Sequence, residues 1–147
     1  MRLWHKDLIP YLPDSQLRGQ WRELGSIFKD EPRHILINYV YLHPTEHLYA
    51  YTQLILNEYK KRGFKINNWT NYNNYFKYID KDKIPSYEDI FYVWHNESYL
   101  AQCYFNLKEK FECWQKDFDL ICWLRIKNDF GKRVLSEVQR QLVFKIK

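Results

Sequence analysis

One segment decides the class of fold open to this chain. In DSQLRGQWRELGSIFKD, which begins at Asp14, the apolar residues Leu17, Trp21, Leu24 and Phe28 fall four, three and four positions apart. That spacing puts all four on one stripe of an α-helix, whereas a strand would divide them between its two faces. Pro13 precedes the segment, and Asp14 or Ser15 is the expected N-cap. Glycine occurs only four times in 147 residues, so little interrupts helices elsewhere.

A second helix is expected from Pro44 to Arg62. Leu48, Tyr51, Thr52, Ile55 and Tyr59 form its broad inner face, and Gly63 takes the C′ position. Between these helices, EPRHILINYVY reads as a short strand or a buried connection. The polar, tyrosine-rich run from Lys65 to Pro85 reads as a loop or broken helix. SYED, beginning at Ser86, fits a capping box. Helical periodicity then runs to about Lys116, with Asn96 as an alternative start. The tail from Phe118 is ambiguous, with a last helix around residues 132–144. The expected fold is all-α and mainly helical: a compact single-domain bundle (residues 1–147) of three main helices with long connections. Its N-terminus is expected to be tucked between helices.

Lys and Arg total 23 against 18 acids, a formal charge of +5, which favours an anionic partner such as nucleic acid. Cys103, Cys113 and Cys122 form no CxxC pair and read as reduced thiols. No apolar run reaches bilayer length and no signal peptide is recognised, so a cytoplasmic protein without a membrane partner is expected; a monomer is the expected state. Aromatic residues reach 19%; core filling is the favoured reading over stacking on bases. P-loop, GxGxxG, HExxH and GxSxG signatures are missing. His43 and His47 share a metal-compatible spacing, but Pro44 lies between them and a surface or capping role is favoured. Neither a metal nor an organic cofactor is expected.

What remains is the start of the chain, MRLWHKDLIP, where a basic residue is followed at once by the core-type pair Leu3-Trp4. An α-amino group has a pKa of about 7.7–8, so roughly 10–15% is free amine at pH 7, far more than for a lysine. It can attack a sugar C1′ and form a Schiff base, given a carboxylate to steady the cation and move protons. Glu23 is the candidate: it lies on one flank of the first helix, over Gly19 and Gln16, with Arg18 and Arg22 on the other flank. From pattern alone, a helical Glu beside an Arg is more often a solvated face.

MRLWHKDLIPYLPDSQLRGQWREL resembles the start of the pyrimidine-dimer DNA glycosylase/AP lyase family. The shared frame is a small residue-Arg-aliphatic terminus, a spacer, then a helix ending in aromatic-Arg-Glu-Leu, here Trp21-Arg22-Glu23-Leu24. LNEYKKRGFKI is similar to the family's central helix and its exit, and HNESYLAQCYFNLKEKF to its last long helix. The likeness spans residues 1–112 and leaves 113–147 unmatched. It implies a compact helical domain with its terminus in the active site, an N-terminal amine as nucleophile, a helix-borne Glu, and β-elimination that nicks the strand.

By position, Met1 and Glu23 take the catalytic roles, and Arg2, Arg18, Arg22 and Gln16 contact DNA. The implied partner is double-stranded DNA containing a lesion or abasic site. Arg2 is too bulky for methionine trimming, so the amine is that of Met1 itself. Ser15-Gln16 replaces a family Gln-His pair, and Ser26 a family Arg. Two alternatives stay open: a DNA-binding protein of this fold without the chemistry, and a helical protein-interaction module.

Overall fold

The computed structural model describes residues 2–146. Among them are five α-helices and no strand: α1 (Asp14–Asp30), α2 (Thr45–Arg62), α3 (Thr70–Tyr75), α4 (Glu97–Glu112) and α5 (Leu120–Ile146). The all-α expectation holds, but four of these helices are long, not three. Helices α4 and α5 pack along one another, α1 packs on α3 and α2, and the 3-10 turn Lys6–Tyr11 lies against α2 and α5.

The stripe read from α1 enters the core, where Leu17, Leu24 and Ile27 are fully buried, while Trp21 stays half-buried. Rings fill the space between α1 and α3: Phe28 meets Tyr72, Tyr75 and Phe76 at 5.1–5.9 Å between centroids. Helix α2 ends as expected, with Gly63 in the left-handed region at φ 74° and its N–H bonded to the Lys60 carbonyl.

Four expectations require correction. Pro13, not Asp14 or Ser15, holds the N-cap position of α1; its first-turn N–H at Ser15 donates instead to Asp117 Oδ2 at 2.8 Å. Residues Glu31–Tyr41 form no strand but a turn leading into the 3-10 segment Asn38–Leu42. The capping box at Ser86 starts only a 3-10 turn, Tyr87–Asp89, because Lys6 captures its carbonyls. The Lys6 ammonium donates to the carbonyls of Tyr87, Glu88 and Ile90, and Phe91 then turns left-handed at φ 51°. The helix begins at Asn96, whose side chain accepts from Tyr99 N–H. The last helix starts at Leu120, twelve residues before the expected point. Asp119 Oδ1 caps it through Cys122 N–H, and Trp123, Ile126, Phe130 and Val134 supply its buried stripe. Among the described residues no helix is long and apolar enough to cross a membrane.

A pair of stacked imidazoles lies beneath the N-terminal segment. His5 and His95 are buried with ring centroids 5.1 Å apart. Both use Nδ1 as an acceptor, from the Asp7 and Lys6 N–H groups respectively, so both are held neutral. Burial is the main cause that pulls the His5 pKa down to about 4, and it pulls His95 and His47 down as well. The unfolded chain binds protons that the folded one refuses. Stability is therefore full above pH 6.5 and falls as the pH drops toward 4. For His5 alone, two to three pH units at about 1.4 kcal/mol each give a loss on the order of 3 kcal/mol. Melting temperatures measured from pH 7.5 to 4.5 should fall steeply, and the slope should flatten in His5→Asn, whose side chain can still accept from Asp7.

Candidate active-site cleft

The N-terminal segment is held by side chains from three helices. Gln20, buried in α1, receives the Trp4 N–H on Oε1 at 2.7 Å and donates from Nε2 to the Arg2 carbonyl at 2.8 Å. The Tyr51 hydroxyl of α2 lies 2.7 Å from the Trp4 carbonyl oxygen and 2.8 Å from Gln20 Oε1. The Tyr99 hydroxyl of α4 donates to the Leu3 carbonyl at 2.5 Å. Residues 3–6 are buried, so these backbone groups have no water to fall back on. A chain end that normally frays is here tied down as far as Arg2.

Arg2 and Glu23 line the same cleft, a hollow of about 380 Å³ whose wall also includes Gln16, Gly19, Arg22, Leu36, Asn106 and Lys110. Three of its side chains are cationic and one is anionic, which makes it a natural seat for a polyanion. Glu23 Oε2 is buried and has no hydrogen-bond partner among the described residues. A carboxylate oxygen withdrawn from water without a donor is costly, and it favours any cation or N–H brought within reach. The Arg2 guanidinium rests 5.6 Å above the Tyr99 ring and 6.0 Å from that of Trp4, with Nη1 3.8 Å from Cys103 Sγ.

The cationic residues of α1 separate. Arg22 lies on the ridge between two hollows and lines both. Its Nη2 folds back over Gly19, 3.5 Å from where a Cβ would stand. The expected division, with Arg22 and Glu23 on opposite flanks, therefore fails: the guanidinium reaches over to the Glu23 side. Arg18 stays outside the Glu23 cleft, 4.1 Å over the Phe64 ring, in the neighbouring hollow with Lys65. Gln16 lines the cleft, with its Nε2 donating to Gln115 Oε1 at 2.9 Å. Met1, the expected nucleophile, lies outside the described residues.

Asn106 and Lys110, one turn apart on α4, complete the wall and escaped the sequence reading, although their i,i+4 polar spacing marks one helix face. Gln20 also had a signal, as a polar residue between Leu17 and Leu24 on the apolar stripe. No cluster of three or more metal-type side chains exists among the described residues, and His47 Nδ1 accepts the Phe91 N–H.

Residues 1–71 match the family model described as pyrimidine dimer DNA glycosylase. The match takes in just under half of the chain, so the likeness to that family is one of its N-terminal part. It covers α1, α2 and every α1 residue of the cleft, and stops before α4 and α5. No curated protein and no solved structure matches the chain.

Gln20 makes two of the hydrogen bonds that hold residues 2–4 in place. Gln20→Ala strips the buried Trp4 N–H and Arg2 carbonyl of their partner, and should cost about 2–4 kcal/mol for the groups left unpaired. Urea unfolding of the variant against the parent reads that loss directly.

Proposed function

We propose that the protein is a DNA glycosylase with AP lyase activity, acting through the α-amine of Met1 with Glu23 as its assisting carboxylate. The observation that carries this reading is the cleft shared by Arg2 and Glu23, in which the residue next to the amine is tied to α1 one turn before the acid. The family match supplies DNA and a pyrimidine dimer as substrate by analogy.

In the proposed reaction the free amine attacks C1′ of a damaged nucleotide and the glycosidic bond breaks, so that the base departs. Ring opening leaves a protonated Schiff base between the amine and C1′. Removal of a C2′ proton then expels the 3′ phosphate, which nicks the strand, and water releases the enzyme. Glu23 serves the proton movements and steadies the cationic intermediate. Arg2, Arg22 and Lys110 neutralise phosphates around the cleft, and Arg18 with Lys65 extends that path along the next hollow. No step calls for a metal or an organic cofactor.

Borohydride should trap the protein covalently on DNA containing an abasic site, and acetylation of the N-terminus should abolish the adduct. Glu23→Gln should lower the nicking rate by about 10²-fold or more while leaving DNA affinity within a few-fold. Arg22→Ala should weaken binding to all sequences alike and reduce the salt dependence by about one phosphate contact. A parent protein that binds abasic DNA but yields neither adduct nor nick would reduce the reading to DNA binding alone.

A further inference from the structure

The connection between α1 and α2 carries a feature that neither the core nor the proposed chemistry uses. Ile35 and Leu36 stand at the tip of a turn in which the Ile37 and Asn38 N–H groups both donate to the His34 carbonyl at 2.9 Å. Turn tips favour glycine, asparagine, aspartate and serine. This one presents two aliphatic side chains, 80% and 36% exposed.

The turn is also unusually well fastened. Asn38 Oδ1 accepts the His34 N–H at 2.8 Å, and His34 Nδ1 accepts the Leu36 N–H at 3.1 Å. The Tyr41 hydroxyl ties back to the Pro32 carbonyl at 2.8 Å, while Ile37 and Val40 anchor the segment in the core. Ile35 and Leu36 share one hollow with exposed Tyr39 and Val93, and a contiguous apolar patch of this kind gains nothing for an isolated molecule and marks a contact made with something else.

The location names that contact. Leu36 lines the Glu23 cleft, and together with Ile35 it also lines an adjoining hollow of about 290 Å³. Tyr39 and Trp94, which lie in that hollow, are stacked with centroids 5.9 Å apart and planes 18° from parallel. The apolar tip is thus continuous with a cationic cleft suited to phosphates, and a ligand that offers an anionic backbone beside flat apolar faces is duplex DNA.

We infer that the Ile35–Leu36 tip is a wedge that enters the base stack of duplex DNA beside the nucleotide held at Glu23. This rests on the glycosylase reading above and adds to it how the duplex is opened. Aliphatic side chains inserted at a base step partly unstack it and kink the helix, which lowers the cost of drawing a nucleotide toward the cleft. A single strand has no closed stack to open, so the wedge matters for duplex substrates alone.

The test compares the parent, Ile35→Asn and the conservative Ile35→Leu on an abasic site in duplex and in single-stranded DNA. Fluorescence of 2-aminopurine placed next to a non-cleavable tetrahydrofuran site reports unstacking without chemistry. Ile35→Asn should nick duplex DNA roughly tenfold more slowly and lose the fluorescence rise, with single-strand nicking within about twofold and melting temperature unchanged. Ile35→Leu should restore both duplex readouts. Equal losses on both substrates, or a variant that retains the fluorescence rise, would overturn the wedge while leaving the glycosylase reading intact. If the parent neither binds nor nicks abasic DNA, the glycosylase reading falls and takes the wedge with it.

Discussion

The arrangement depends on one set of hydrogen bonds, those that Gln20, Tyr51 and Tyr99 make to the backbone of residues 2–4. An N-terminal segment has few neighbours to bond with and a large entropy to lose on being fixed. Leu3 and Trp4 provide the apolar burial that draws it inward, but burial alone would leave their peptide groups unpaired. The three polar side chains, one from each of α1, α2 and α4, resolve that conflict. They also hold Arg2 in place where it lines the cleft that contains Glu23.

Charge is distributed to the same end. Beneath the segment, burial keeps the imidazoles of His5 and His95 neutral, so no buried positive charge competes for the cleft's carboxylate. The Lys6 ammonium is spent on three carbonyls of the Tyr87–Ile90 turn. Positive charge is thereby concentrated on the rim, at Arg2, Arg22 and Lys110, where it can meet phosphate without the cost of desolvating a buried ion.

How far the sequence revealed this follows from the range of the interactions. The stripe of α1 and the glycine stop of α2 are local patterns, and both appear in the structure as read. Of the two starts open for α4, Asn96 is the one adopted, because Lys6, some eighty positions from Ser86, binds the carbonyls that a helix from there would use. The cap of α1 was missed for the same reason, since it comes from Asp117. Helix α5 hid its stripe behind Asn128, Asp129 and Gly131, residues that weaken a helix locally; Gly131 lies where an added Cβ would be 3.7 Å from the Tyr104 hydroxyl of α4. In the cleft, Glu23 is legible from its flank of α1, and the family likeness of one contiguous block adds roles for Glu23, Arg2 and Arg22. Asn106, Lys110 and Leu36 come from segments that only the tertiary fold brings to it.

That division bears on what the family match means. The matched residues end at 71, yet they do not close the site by themselves. Tyr99, which fixes the Leu3 carbonyl, and Lys110, which lines the cleft, both belong to α4. The connection that follows bonds to the first turn of α1 through Asp117 on Ser15 and Gln115 on Gln16. Helix α5 then pins the residues just after the terminal segment, with Arg133 on Asp7 at 3.1 Å and Tyr11 hydrogen-bonded to Asp129. The second half of the chain is therefore a brace for the first, supplying long-range partners to the start of α1 and to the turn before it. Changes at Ser15 and Gln16 and changes at Gln115 and Asp117 should be coupled, because each pair holds the hydrogen-bond partners of the other.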